Sequence, residues 1–460
     1  MQNMTTGNPV KLIVKFTIPL LIGNIFQQMY SISDIIIVGR LIGINALAAL
    51  GVSAPIFALL VFASIGFTNG LTVITAQSFG AKDYAKLRRS VTASIILCAA
   101  FVIAASAITL LSMDIMFEIM NVPEELKKDA GIFTSVICSG TIMIVFFNLL
   151  SSFMRALGDS KTPLYFLIFA TMLNVAFNFV FIKYLGLGIA GSALGTISAM
   201  FVSVICCLVY IPKNFPLLLP KKRDWKPNWE FYKQHLAIAF PMALQFSILS
   251  ISMAITQSVC NSFGPIAIAG FISAMRVEQI AVQPMVSLGL TMSTFVAQNY
   301  GAKLISRIRR GVFKASMISV SLSIFLALMM FAFSESLIKI FIEEENFEIM
   351  DKVLYFATSY IKISILFYFP LGQIFIYRNA LQGMGNAVIP LISSIVELLM
   401  RTFAAVFLAA TFGYIGMCFA SPIAWIGGGT VTSIGYFVMI KRIRNLRMRK
   451  KPVIIPYSTI

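Results

Sequence analysis

The chain has 460 residues, 58% of them hydrophobic and only 12% charged, with a mean hydropathy of +0.89. That balance excludes a soluble domain, and a formal net charge of +18 calls for a negatively charged partner, either nucleic acid or a lipid surface. Six cysteines sit singly or adjacently in apolar runs with no CxxC pair, which excludes a disulfide framework and a thiolate metal site.

Apolar runs long enough to cross about 30 Å of hydrocarbon recur along nearly the whole chain. They are continuous rather than alternating, so helices satisfy the backbone in lipid and a barrel does not. The expected fold is an all-α integral membrane protein of about twelve spans, with approximate cores at 12–37, 46–79, 91–113, 131–153, 163–183, 188–211, 236–260, 266–299, 311–333, 353–377, 387–410 and 414–440. Prolines inside the spans (Pro19, Pro55, Pro241, Pro284, Pro370, Pro422) free backbone groups and permit bending. Pro19 is placed to bend the first span.

The first span contains Gln27-Gln28-Met29-Tyr30-Ser31-Ile32-Ser33-Asp34, and Asp34 is the only acid before Asp83. A charge at mid-membrane costs roughly 2.5–3.5 kcal/mol on insertion scales and marks function by default. The polar neighbours, Gln27 and Tyr30 among them, turn this stretch toward a wet interior. Span five supplies Asn174 and Asn178, four apart and so on one helical face; span six supplies Ser192 and Thr196 with the same spacing. One acid with two such pairs describes a proton or cation site.

Only Asp34, Glu278 and Glu397 among the acids fall within spans, with Arg276, Lys362 and Arg401 as the bases there. Glu397 and Arg401 are four apart and are expected to neutralise each other. Arg276 and Glu278, two apart, point different ways. Glu278, Gln279 and Gln283 suggest a cavity-facing stripe in span eight, and Lys362 is free to reach Glu278 or Glu397. His235 lies in a polar collar before span seven, where a surface position is expected.

The loops set the orientation. Most of the 36 basic residues, including Lys82, Lys86, Arg88, Arg89, Lys221, Lys222, Arg223, Arg307, Arg309, Arg310, Arg378 and the tail to Lys451, fall on the side of the N-terminus. The opposite loops carry the acids Asp114, Glu118, Glu124, Glu125, Asp129, Glu335, Glu343, Glu344, Glu345, Glu348 and Asp351. By the positive-inside rule both termini are cytoplasmic. The charge is thereby explained by topology and anionic lipid, without nucleic acid.

The expected organisation is an N-lobe at 1–211, a Pro-rich cytoplasmic loop at 212–232, a C-lobe at 233–440 and a basic tail at 441–460. The lobes repeat. Ile18-Pro19-Leu20 returns as Phe240-Pro241-Met242, Ala76-Gln77-Ser78-Phe79-Gly80-Ala81-Lys82 as Ala297-Gln298-Asn299-Tyr300-Gly301-Ala302-Lys303, and Arg155-Ala156-Leu157-Gly158-Asp159 as Gln382-Gly383-Met384-Gly385-Asn386. Six spans per half is an even number, so the repeat is parallel, about an axis along the membrane normal; transporters use such plans. The position matching Asp34 falls on Ile255 or Thr256, and Asn174 matches Arg401, so coupling is expected in the N-lobe. The spans hold no histidine, no catalytic carboxylate pair and no nucleophile motif, which leaves an enzyme unsupported.

On these features (Pro19, the Asp34 stretch ending Val38-Gly39-Arg40, the Ala-Gln-x-x-Gly-Ala-Lys repeat and Arg155-Ala156-Leu157-Gly158-Asp159) the chain resembles the multidrug and toxic compound extrusion (MATE) family, its DinF-like bacterial branch more than the NorM branch. The resemblance implies alternating-access efflux of amphipathic, mostly cationic compounds against H+ or Na+, from the bacterial plasma membrane, with no cofactor. It implies Asp34 as coupling residue, with Asn174, Asn178 and Thr196 around it, a set that would also serve Na+. Asn178 stands where some members carry an acid, which favours the proton. Substrate contact falls to Gln27, Tyr30, Arg276, Glu278, Gln279 and Gln283, and a monomer is expected. The alternative is a flippase for lipid-linked oligosaccharide on a related two-lobe fold, which Arg276, Lys362 and Arg401 keep open.

Overall fold

In the computed structural model the described residues are 2–226, 228–341 and 347–448; Pro227, the acids Glu343, Glu344 and Glu345, and the tail from Arg449 through Lys450 and Lys451 lie outside them. The described chain is helical throughout: α1 (Pro9–Leu41), α2 (Ile44–Gly80), α3 (Tyr84–Leu111), α4 (Met113–Ile119), α5 (Glu124–Ala156), α6 (Lys161–Asn178), α7 (Gly188–Asn214), α8 (Trp229–Asn261), α9 (Pro265–Ala281), α10 (Gln283–Gly301), α11 (Ile305–Lys339), α12 (Phe347–Ile365), α13 (Tyr368–Gly383), α14 (Val388–Phe403), α15 (Ala409–Cys418) and α16 (Ala420–Met448). Two π turns, Phe179–Tyr184 and Ala404–Leu408, follow α6 and α14 directly.

Ten of the helical segments are long and apolar enough to cross a membrane, or up to twelve when two bent pairs count as one span each. The bent pairs are α9 with α10, at 44°, and α12 with α13, at 56°. The expected eighth and tenth spans are therefore broken rods. Val282, where the first breaks, precedes Gln283 and Pro284; a proline there has no N–H to give, so the ladder is easily interrupted. The second break, around Phe367, precedes Pro370 by the same logic. The short α4, between spans three and four, has no counterpart in the expected elements.

Two compact units form. One is Ile22–Phe246 with Gln2 and Asn3; the other is Met4–Leu21 with the described residues from Ser247 onward. The boundaries between these units fall inside α1 and α8. Each of these helices runs unbroken past its proline, Pro19 or Pro241. The first unit packs Ile37, Val38, Phe133, Ile137, Ile182 and Ala193 together, the second Phe271, Met330, Tyr360, Tyr368 and Trp425. In the second unit Ile13, Phe16 and Leu20 of α1 pack with Leu288, Met292 and Phe295 of α10. Ile103, Ile108, Leu111, Leu328 and Phe331 stay exposed, as lipid-facing side chains do.

The sequence repeat has a backbone counterpart. Gly158 and Gly385 take φ of 87° and 88°, and Lys82 and Lys303 take 58° and 59°. Gly158 is required twice over, because a Cβ there would also strike the backbone of Gln2.

His235 is not on the surface but fully buried in the first unit. α8 starts at Trp229, a turn and a half before it, and carries the ring inward. Its Nε2 lies 2.8 Å from Ser90 Oγ, which lies 2.8 Å from Thr75 Oγ1. Beside it the long loop is fastened to α3. Arg88 Nε donates to Asp224 Oδ2 at 3.1 Å, Thr92 Oγ1 to the Asp224 carbonyl at 2.7 Å, and the Lys221 N–H to Asp224 Oδ2 at 2.9 Å. Burial alone would push the Asp224 carboxyl up; the Lys221 N–H and the Arg88 guanidinium outweigh it and hold the group below its ordinary value. A depressed carboxyl stabilises the fold above its ordinary value of about 3.9 and stops doing so as pH falls through its folded value. Thermal unfolding of wild type and Asp224→Asn should therefore differ at neutral pH and converge in acid. A gap that ignores pH would refute the clasp.

Candidate ion-coupling site

The first unit brings Asp34 together with the two asparagines and the threonine. Tyr30 and Asp34 are one turn apart on α1, Asn174 and Asn178 one turn apart at the end of α6, and Ser192 and Thr196 one turn apart on α7. Asn178 Nδ2 donates to Asp34 Oδ1 at 2.5 Å and reaches Asn174 Oδ1 at 3.4 Å. Asn174 Nδ2 and Tyr30 OH both donate to Thr196 Oγ1, at 3.2 and 3.1 Å. Asn174 and Asn178 are wholly buried and Asp34 is half-buried. Among the described residues no basic group acts on Asp34; its partners are all neutral. The carboxylate is thus held by neutral donors.

Local sequence explains the geometry. The π turn begins at Phe179, so the helix widens immediately after Asn178; such turns recur at functional sites. Gly195 on α7 has no side chain, and the Asn178 amide fills that space. Its Oδ1 is buried with no hydrogen-bond partner in the protein, while its Nδ2 faces Asp34.

Ser192 is buried one turn before Thr196, and no described hydrogen bond ties it to Asp34 or the asparagines. Gln27 is exposed on α1 and lies outside the network. Glu278 belongs to the second unit, is buried, and accepts from Tyr360 OH at 2.8 Å. Arg276 and Gln279 are exposed on the same helix, and Gln283 is half-buried beyond the bend on α10. The three residues Glu278, Gln279 and Gln283 therefore share no stripe, because the helix that would align them is broken between α9 and α10. Pro19 is buried in the second unit.

Two charge pairings differ from expectation. Glu397 pairs with Arg378, with Ser393 bridging them, rather than with Arg401. Arg378 is a buried residue of α13, not a loop residue. Arg401 gives Nη1 to Ser421 Oγ at 2.7 Å. Lys362 is exposed, ion-paired with neither Glu278 nor Glu397 among the described residues, and acts instead on Glu335. No group of three metal-ligating side chains occurs among the described residues.

The comparisons agree on one family. The MatE family profile matches residues 19–180 and 241–407. The chain is 27% identical over 409 residues to the probable multidrug resistance protein YpnP of Bacillus subtilis (strain 168), covering 88% of this chain and 90% of that protein. It is 23% identical over 424 residues to the probable multidrug resistance protein NorM of Thermotoga maritima, covering 91% and 88%. A solved multidrug resistance MATE family transporter of the MOP superfamily, in an outward-facing conformation, superposes with a TM-score of 0.88 at 23% identity, covering 96% of this chain and 98% of that one; at that identity the likeness shows the fold. The matched profile spans both halves of the repeat, and the relatives are bacterial transporters rather than enzymes. The chain belongs to the MatE family and is a multi-pass membrane protein of the multidrug efflux transporters.

Proposed function

We propose that the protein is a proton-coupled antiporter that exports amphipathic organic cations by alternating access, with Asp34 as the coupling carboxyl and both termini in the cytoplasm. The observation that carries the reading is the 2.5 Å contact from Asn178 Nδ2 to Asp34 Oδ1. An amide N–H aimed at the carboxylate stabilises a bare negative charge and yields to a proton, but presents a donor where Na+ would need an oxygen. Protonation of Asp34 from outside lowers the negative charge that holds a cationic substrate, the substrate leaves, and the proton is carried inward. Exchange of one proton for one monovalent cation moves no net charge, so the pH difference drives it, at about 1.4 kcal/mol, or a tenfold substrate gradient, per pH unit. Small-molecule substrates follow from the family; the acid supports a cationic character for them. Pro19, which leaves the Lys15 carbonyl without its helical donor, is the bend point of α1 in this reading.

The test is ethidium transport in everted membrane vesicles under an imposed pH or Na+ gradient. Asp34→Asn should lose at least about tenfold in rate, the scale of a lost binding term of 1.4 kcal/mol or more. Wild-type transport by that variant removes Asp34 from coupling. Transport driven by Na+ and indifferent to the pH gradient removes the proton.

A further inference from the structure

Glu278 has no part in that scheme, yet its surroundings are not those of a structural acid. It is 6% exposed, and only one of its oxygens, Oε2, is hydrogen-bonded in the protein, by Tyr360. Oε1 has no partner. Ser364 Oγ, one turn beyond Tyr360 on α12, and Tyr368 OH, at the start of α13, lie beside the carboxyl, buried and without aligned partners of their own. Arg401 on α14 is the one cation acting on it; it forms no ion pair among the described residues, and its Nε is also unpartnered. Arg276 and Lys362, on α9 and α12, are exposed, and neither acts on the carboxyl.

A resident ion pair would close on Arg401, as Glu397 closes on Arg378. A cation site would not keep a guanidinium nearby. A drug contact would be open to substrate. A proton site fits instead, because hydroxyls serve both charge states: they donate to a carboxylate and accept from a carboxylic acid. The unpartnered Oε1 is where the proton would sit, with Ser364 and Tyr368 as its acceptors.

The placement also gives the proton something to do. Glu278 lies three residues before the end of α9, at the 44° break, and Ser364 and Tyr368 flank the 56° break between α12 and α13. We propose that Glu278 is a second proton-carrying carboxyl, housed within the second unit, whose protonation re-sorts its bonds to Tyr360, Ser364 and Tyr368 and so sets the bends of the two broken spans. Its use in transport rests on the antiport reading; its titration does not.

The experiment is pH-difference infrared spectroscopy of the full-length protein in lipid vesicles, reading the C=O stretch of protonated carboxyls between mildly acidic and mildly alkaline pH. One band should vanish in Glu278→Gln and persist in Asp34→Asn. Tyr360→Phe should keep that band and move it to higher frequency, since the carbonyl loses a donor. Difference spectra of Glu278→Gln identical to wild type overturn the proposal. If that variant does not fold, an unshifted band in Tyr360→Phe overturns it equally. If Asp34→Asn transports like wild type, the antiport reading fails while the band assignment stands or falls by itself.

Discussion

Arg378→Met is expected to lose about 3–5 kcal/mol of stability, the usual cost of stranding one member of a buried ion pair. Arg378 and Glu397 are 6% and 5% exposed, and Ser393 ties them together, with its hydroxyl at 3.3 Å from the guanidinium and 3.1 Å from the carboxylate. Removing the guanidinium leaves a carboxylate facing Ser393 and the surface of Gly428, where not even a Cβ fits. Arg401 offers no ready replacement, since its Nη1 is committed to Ser421. The double variant Arg378→Met/Glu397→Met removes both charges and should recover most of the loss, because a buried pair replaced by apolar side chains is often neutral. Thermal unfolding followed by tryptophan fluorescence in lipid nanodiscs measures all three. A single variant within about 1 kcal/mol of wild type would mean that the pair is not ionised.

The second large effect is expected at Gly195. A methyl group there would overlap the Asn178 carboxamide, which is the direct donor to Asp34. Gly195→Ala must therefore push α7 from α6 or rotate the amide off the carboxylate. Overpacking of this kind costs about 1–3 kcal/mol. Transport should suffer more than stability, falling by about 10- to 150-fold if the amide contributes the 1.5–3 kcal/mol of a hydrogen bond to a charged group. Gly51→Ala is the control: the space around Gly51 is open, so it should transport normally and gain up to about 0.5–1 kcal/mol from helix propensity. Equal transport by the two variants would show that the Asn178–Asp34 contact is dispensable.

Much of this is legible in the amino-acid sequence. Apolar length and loop charge specify a helical membrane protein, because lipid leaves the backbone so few options. The spacing of Asn174 with Asn178 and of Ser192 with Thr196 picks out faces, and three of those four residues do join Asp34. What spacing cannot supply is which face meets which helix. Glu397 has a base four residues away and nevertheless takes one from α13. Arg378 was hidden by neighbours that read as a loop, and His235 by a collar of charges. The breaks at Val282 and Phe367 precede prolines that mark flexibility without stating where the rod parts. Tyr360 and Ser364, four apart, put two hydroxyls on one face of α12, and the spacing does not say that this face meets Glu278.

The matched left-handed turns at Lys82 and Lys303 have a further use. Their φ values agree within a degree, so the backbone strain of a non-glycine residue there, of order 1–3 kcal/mol, is the same quantity measured twice in one molecule. Lys82→Gly and Lys303→Gly relieve it identically. Whatever separates their unfolding temperatures is then the environment alone, and each half of the chain becomes the reference state for the other.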